Sequence, residues 1–196
     1  MIIDKLNWHT HIDYLCTKVS KASGIIKKLK NQLTPNVLKT IYHSLLCSYL
    51  RYGILSWGSA MSTALKSLNI LNNRAIKAIN AHNSIPLTEA YKANNILSID
   101  SMFQFELMKF VHSTRTGKAP KAFENYFIPI SHSYQTRSVS RDLYRLPKAR
   151  TEIGKRCVKY QAAKTWNNLC NSMIGSINSS FNKVLKMHLI DVQNIS

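Results

Sequence analysis

Apolar residues recur at three- and four-residue spacing through most of the first 117 residues. This period is typical of amphipathic α-helices, in which one face is buried and the other is solvated. The pattern predicts helices over residues 10–32, 35–50, 63–81, 87–94 and from about 100 to near Gly117. The chain is therefore predicted to be mainly α, with a helical bundle over residues 1–117.

Residues that favour helix ends stand at the predicted boundaries. Thr34 is a suitable N-cap, and Pro35 suits the first helical position because its missing N–H has no partner to lose there. Ser62 or Thr63 is expected to cap the next long helix, and Ser98 or Asp100 is expected to cap the helix that ends near Gly117.

The segment 118–196 is predicted to be looser, rich in loops and then helical. The stretch "SHSYQTRSVSRDLYRLPKARTEIGKRCVKY" has little helical period and carries eight basic and two acidic residues. Alternating polarity predicts short strands over residues 143–146 and 156–160, and helices are expected over 162–169 and 180–190.

The stretch "CSYLRYGILSWGS", residues 47–59, combines aromatic and aliphatic residues with two glycines and differs from its neighbours. It offers no acid, base or metal ligand at a useful spacing, so we interpret it as a buried joint between two helices. Gly53 and Gly58 are expected to provide the close or left-handed backbone of the turn. The side chains expected to be buried are Tyr49, Leu50, Tyr52, Ile54, Leu55 and Trp57.

The chain is strongly basic along its whole length. The chain carries 27 Lys and Arg against 9 Asp and Glu, a net charge of +18. Residues 1–94 hold 12 basic and 3 acidic residues and residues 95–196 hold 15 and 6, so both parts are basic. Such an excess indicates a polyanionic partner, either nucleic acid or an anionic membrane surface. No apolar run is long enough for a membrane span and the N-terminus lacks the pattern of a signal peptide, so we expect an intracellular protein, nuclear or cytoplasmic and not secreted.

Catalytic patterns are not found in the sequence. The nine acidic residues form no Asp-Asp, Asp-x-Asp or Asp-x-x-Glu pair of the kind that holds metal ions for phosphoryl transfer. His9 and His11 lie near Cys16, but no second cluster follows at zinc-finger spacing. We therefore predict no catalytic residue, no metal site and no cofactor in this chain.

The sequence instead predicts a positively charged helical scaffold. Such a scaffold can bind nucleic acid, because contact with a phosphate backbone needs only positive charges that reach it. Two groups of basic residues are predicted to bind nucleic acid. The first group lies on the outer faces of the helices over 10–32 and 63–81 and comprises Lys27, Lys28, Lys30, Lys66, Arg74 and Lys77. The second lies in the basic segment near Tyr144 and Tyr160, whose rings are suited to base stacking, and comprises Arg137, Arg150, Lys155 and Arg156. The alternatives are a solvated helix face for the first group and a basic flexible loop for the second.

Several segments together resemble a known family. In order, they are "IIDKLNWHTHIDYLCTKVSKASGIIKKLK", "LKTIYHSLLCSYLRYGILSWGS", "LNILNNRAIKAI", "PLTEAYKANNILSI", "HSYQTR" and "GKRCVKYQAAKTWNNL". They resemble the region that follows the polymerase palm in non-LTR retrotransposon reverse transcriptases of the jockey-like kind. The resemblance covers nearly the whole chain, and it depends on the order of the segments because no single segment is specific.

The resemblance implies a helical thumb and C-terminal region that grips RNA, DNA or an RNA–DNA hybrid. The catalytic aspartates and the Mg²⁺ they hold would belong to the palm, upstream of Met1, so the chain by itself is expected to be inactive. Two alternatives stay open: a helical protein-interaction module that uses the surface of residues 42–57, and a non-functional transposon remnant.

Overall fold

The computed structural model describes residues 8–81, 85–130, 143–173 and 181–193, without the side chains of residues 169–173. The chain divides into two compact units. Unit 1 comprises Met1–Met102 and Ile190–Ser196, and unit 2 comprises Phe103–Leu189. The predicted domain division between residues 117 and 118 stays a prediction.

Unit 1 is built on two long helices, α1 (His9–Leu29) and α5 (Ser62–Ile79), which pack against each other. Between them lie the shorter helices α2 (Pro35–Ile41), α3 (Cys47–Arg51) and α4 (Ile54–Trp57), and α6 (Leu87–Ala93) follows α5. The next helix, α7 (Ile99–Arg115), begins in unit 1. The helices predicted for the first 117 residues are thus confirmed, each within a few residues of its expected bounds.

The apolar faces of these helices form the core of unit 1. Burying such side chains stabilises the fold by roughly 1.5–3 kcal/mol each relative to exposure. The largest buried apolar residues of α1 and α5 are Ile12, Leu15, Val19, Ile26, Leu65, Leu68, Ile76 and Ile79.

Helix ends follow the predictions in three places and differ in one. Thr34 is the N-cap residue before Pro35, although its side chain makes no capping hydrogen bond. The Ser98 hydroxyl accepts a hydrogen bond from the Ser101 backbone N–H (3.2 Å), and Gly117 is left-handed (φ 67°) after the end of α7. The expected cap of α5 was wrong: the N-cap is Met61, whose carbonyl accepts the first helical hydrogen bonds.

A π-helical turn, Tyr42–Leu46, joins α2 to α3. The buried residues Leu38, Tyr42, Leu46 and Leu50 repeat every four residues. In a pure α-helix that repeat drifts by about 40° at each step, because a turn contains 3.6 residues. The wider π turn, in which the Cys47 N–H bonds to the Tyr42 carbonyl, offsets part of this drift and keeps the stripe facing the core.

Residues 47–59 form a joint, as expected, but only part of it is buried. Leu50, Ile54 and Trp57 lie in the core, and Gly53 is left-handed (φ 61°) between α3 and α4. Three of the side chains that were expected to be buried are not. Tyr49 is 37% exposed and Tyr52 is 77% exposed, because they stand on the outer side of a turn whose inner side already holds the Trp57 indole. Leu55 is only half-buried. Gly58 is buried and has an ordinary helical φ of −64°, so it does not adopt the left-handed alternative of the close or left-handed backbone that was expected there.

Unit 2 contains most of α7, a short 3₁₀ turn (Lys121–Phe123), α8 (Glu152–Lys155), α9 (Val158–Met173) and most of α10 (Phe181–Val192). A chain of ring contacts, with centroids 5.1–6.3 Å apart, runs through its core. Its members are Phe110, Phe123, Tyr126, Phe127, Tyr144, Trp166 and Phe181. Aromatic packing of this kind stabilises the core of unit 2 together with buried aliphatic side chains such as Leu107 and Leu185.

The two predicted strands were wrong. Residues 156–160 pass from the end of α8 into α9, because Val158, Ala162 and Trp166 continue a helical period that outweighs five alternating residues. Residues 143–146 pair with the chain around Pro129 through a single antiparallel bridge. On its other edge, Tyr144 is held by the Asn167 side chain, which bonds both of its backbone groups (2.9 and 2.8 Å).

The fold is therefore mainly α, as predicted, and the described residues contain helices and one isolated bridge but no strand. The helices expected over 162–169 and 180–190 are α9 and α10. None of the helices in the described ranges combines the length and the apolar character that a bilayer span requires.

Candidate nucleic-acid interface

The outer face of α5 brings together three of the predicted binding residues. Lys66, Arg74 and Lys77 are all exposed. At about 100° per residue they lie within about 80° of each other around the helix, and from first to last they span about 16 Å. Ile70 lies on the same face, and α5 contains no acidic residue. We call Lys66, Arg74 and Lys77 the α5 stripe.

Helix α1 carries a second, smaller set of cations. Lys28 is exposed in its last turn and lies on the same side as Lys21, two turns earlier. Lys27 is also exposed but lies about 100° from Lys28 around the helix. Lys30 follows the end of α1 and is half-buried. Of the three predicted residues here, Lys28 therefore matches the outer face best.

A buried hydrogen-bond network fixes α5 and so orients the α5 stripe. The Tyr42 hydroxyl donates to Asn72 Oδ1 (2.9 Å), and Asn72 Nδ2 donates to the Tyr91 hydroxyl (2.8 Å). The Tyr91 hydroxyl in turn donates to Asn73 Oδ1 (2.7 Å). The network connects α5 to the π-helical turn on one side and to α6 on the other.

Both tyrosine hydroxyls of this network stay protonated. Burial raises the pKa of Tyr42 well above its ordinary value, and burial also raises the pKa of Tyr91. Each hydroxyl therefore keeps the proton that it donates. Because an unpaired polar group costs free energy in a core, the network favours one rotational setting of α5, in which Asn72 faces inward and the α5 stripe faces solvent.

The predicted residues of unit 2 are not gathered on one element. Arg150 is exposed in the extended segment before α8, and Arg156 is half-buried just after α8. Lys155 Nζ lies 2.6 Å from Glu152 Oε1, and this hydrogen bond raises the pKa of Lys155 and lowers that of Glu152. The pairing reduces the positive field around Lys155. Arg137 lies outside the described residues.

Three residues that the sequence reasoning did not select also belong to the charged and aromatic surface of unit 1. Lys21 shares the outer face of α1 with Lys28, and the seven-residue spacing would have revealed it. Tyr14 is 56% exposed, with the Lys18 ammonium 5.3 Å from its ring centroid. The position of Tyr14 outside the apolar stripe of α1 could have indicated that its ring is exposed. Nothing in the local sequence pattern indicated that Tyr52 is exposed, because its exposure depends on the turn at Gly53.

The described residues contain no group of three or more His, Cys, Asp or Glu side chains placed to hold a metal ion. Searches of protein-family models, curated proteins and solved structures found no match to this chain. The arrangement itself offers cations on fixed helices, which is suited to binding an extended polyanion.

Proposed function

We propose that this chain is the thumb and C-terminal part of a non-LTR retrotransposon reverse transcriptase and that it binds the phosphate backbone of RNA, DNA or an RNA–DNA hybrid. The resemblance of six collinear segments supports the family. The catalytic aspartates and Mg²⁺ would belong to a palm domain, with which this chain would act in the nucleus or cytoplasm. By itself it would bind without polymerising.

The α5 stripe is the observation that carries the binding proposal. Three cations on one face of a helix without acidic residues produce an uncompensated positive field along about 16 Å. Charges in a nucleic-acid strand recur every 3.4 Å or so of helix axis, so that this length faces several phosphates. A face that only needed to be soluble would mix charges of both signs.

The test is the salt dependence of binding, measured by fluorescence anisotropy with a labelled single strand and a labelled hybrid. For a single strand, log K is expected to fall linearly with log salt, with a slope of about −0.7 for each neutralised phosphate. The variant Lys66→Gln/Arg74→Gln/Lys77→Gln should make the slope shallower by about 2 units, because three contacts are removed.

A charge-matched control separates a local site from net charge. Lys118, Lys121 and Lys183 are exposed in unit 2, and their triple substitution by Gln removes the same three charges. This control should leave the slope near that of the unmodified chain. An affinity that barely responds to salt would refute the proposal, and equal effects of the two triple variants would refute the assignment to the α5 stripe.

The protein-interaction module is kept as a second candidate because of one observation. Within residues 42–57, Tyr49 and Tyr52 are exposed, whereas Tyr42 and Trp57 are buried. Exposed aromatic rings are typical of protein interfaces as well as of nucleic-acid stacking sites. The experiment in the next section distinguishes the two.

A further inference from the structure

Unit 1 exposes two tyrosines near its N-terminal helix and its Gly53 turn, and the backbone of one of them is hydrogen-bonded to a buried tryptophan. Tyr52 is 77% exposed and Tyr14 is 56% exposed, whereas Trp57 is only 1% exposed. Trp57 Nε1 donates a hydrogen bond to the Tyr52 carbonyl (2.9 Å), which holds the backbone of Tyr52 against α4. The left-handed Gly53 that follows reverses the chain, leaving the Tyr52 side chain in solvent.

The other side of Trp57 is in contact with α1. The His11 ring lies 6.3 Å from the Trp57 ring, and the half-buried Trp8 meets His11 edge-on at 6.1 Å. At about 100° per residue, Tyr14 lies about 60° from His11 and about 20° from Lys21 around α1, between the side that contacts Trp57 and the outer face of the helix. We call Trp8, His11, Tyr14 and Tyr52 the aromatic patch.

Cations accompany the exposed rings of the aromatic patch. The Lys18 ammonium lies over the Tyr14 ring at 5.3 Å, which is a cation–π distance. Arg51, also exposed, directly precedes Tyr52 in the chain. Exposed rings next to cations are the arrangement by which proteins bind single-stranded nucleic acid, because bases stack on the rings while cations follow the phosphates.

Building on the proposed function, we propose that the aromatic patch binds unpaired nucleotides by stacking, with Tyr14 and Tyr52 as the stacking rings. The positive charge of unit 1 favours this occupant over a protein surface, because most of its exposed ionic side chains are basic. The Trp57 hydrogen bond fixes the Tyr52 backbone before binding, so that less conformational entropy is lost when a base stacks there. In this proposal the α5 stripe contacts the phosphate backbone and the aromatic patch contacts the bases.

The test compares two single strands of about 12 nucleotides, a length within the usual range for such sites. One is oligothymidine and the other is its abasic analogue, which has the same phosphates but no bases. The unmodified chain should bind the abasic strand about 5- to 150-fold more weakly for each ring that stacks. Tyr14→Ala/Tyr52→Ala should remove most of this difference, with no change in the affinity for the abasic strand or in the salt slope.

Two variants serve as controls. Tyr14→Phe/Tyr52→Phe keeps both rings and should bind oligothymidine as the unmodified chain does. Val37→Ala removes an exposed apolar side chain elsewhere in unit 1 and should have no effect. Helical circular dichroism should be the same for all variants, since each altered residue is largely exposed.

The outcomes separate this inference from the proposed function. Equal affinity of the unmodified chain for both strands overturns the stacking inference alone. No binding to either strand overturns both. If Tyr14→Ala/Tyr52→Ala leaves nucleotide binding intact but abolishes concentration-dependent self-association in sedimentation, the aromatic patch is a protein interface and the stacking inference is wrong.

Discussion

Replacing Tyr42 by Phe should destabilise unit 1 without changing its shape. The substitution removes only the hydroxyl that donates to Asn72 Oδ1 at 2.9 Å. Asn72 is fully buried, so its carbonyl oxygen would lose that partner in a place without access to solvent. Leaving a buried acceptor unsatisfied costs about 1–3 kcal/mol.

Urea unfolding followed by circular dichroism at 222 nm measures this cost. With an m-value of about 2 kcal/mol/M, the midpoint of Tyr42→Phe should fall by roughly 0.5–1.5 M while m stays constant. Tyr52→Phe is the matched control, because it removes a hydroxyl from a residue that is 77% exposed, and its effect should stay within about 0.5 kcal/mol.

A triple variant tests the reasoning more strictly. Tyr42→Phe/Asn72→Leu/Tyr91→Phe removes every polar group of the buried part of the network at once, so no unpaired partner remains there. Because replacing both partners of a hydrogen bond with apolar groups is often nearly neutral, the triple variant should be at least as stable as Tyr42→Phe. A Tyr42→Phe midpoint equal to that of the unmodified chain, or a triple variant as unstable as the sum of its single changes, would refute the account of the network.

Three other predictions concern unit 1. Trp57→Ala should cost about 3–5 kcal/mol and unfold the helical core, as seen by circular dichroism; a folded variant that had lost only nucleic-acid binding would contradict this. Gly53→Ala should lower the melting temperature by an amount equivalent to about 1–2 kcal/mol, because the φ of Gly53 is 61°. Gly24→Ala within α1 should raise the melting temperature by the equivalent of about 0.5–1 kcal/mol. Neither added methyl meets an atom within 4 Å, so a lower melting temperature for both variants would disprove the explanation from backbone conformation. Burial lowers the pKa of His11 below its ordinary value of 6.5. As the pH falls below 6.5, the unfolded chain therefore takes up the proton before the folded chain does, and the unmodified protein loses stability relative to His11→Gln. An NMR titration midpoint of His11 above 6.5 would contradict the lowered pKa.

Local rules predicted α1, α5 and α7 well because these helices are long and strongly periodic. The stripe of Ile12, Leu15, Val19 and Ile26 predicts α1 whatever the rest of the chain does. The segment over 156–160 shows the opposite case. Five alternating residues carry a weak signal, and the helical period that continues into α9 prevailed.

The candidate interface was predictable in part for the same reason. Exposure of Lys66, Arg74 and Lys77 follows from their place opposite the apolar face of α5, which is a local property of one helix. The pairing of Lys155 with Glu152 was not selected, although the two residues are three apart, because their helix is only one turn long and had not been predicted.

Three properties follow from the sequence alone: the helical class, the positive charge and the position of the α5 stripe opposite the apolar face of its helix. They depend on composition and on periods within single elements. Two other features arise from the packing of the helices in space. Tyr42 and Tyr91 meet at Asn72, and Tyr52 is exposed to solvent while Trp57, five residues later, is buried. The physical reason is that these outcomes depend on which elements pack together. A tyrosine is amphipathic enough for either environment, and its neighbours in space, not its neighbours in sequence, fix the one it occupies.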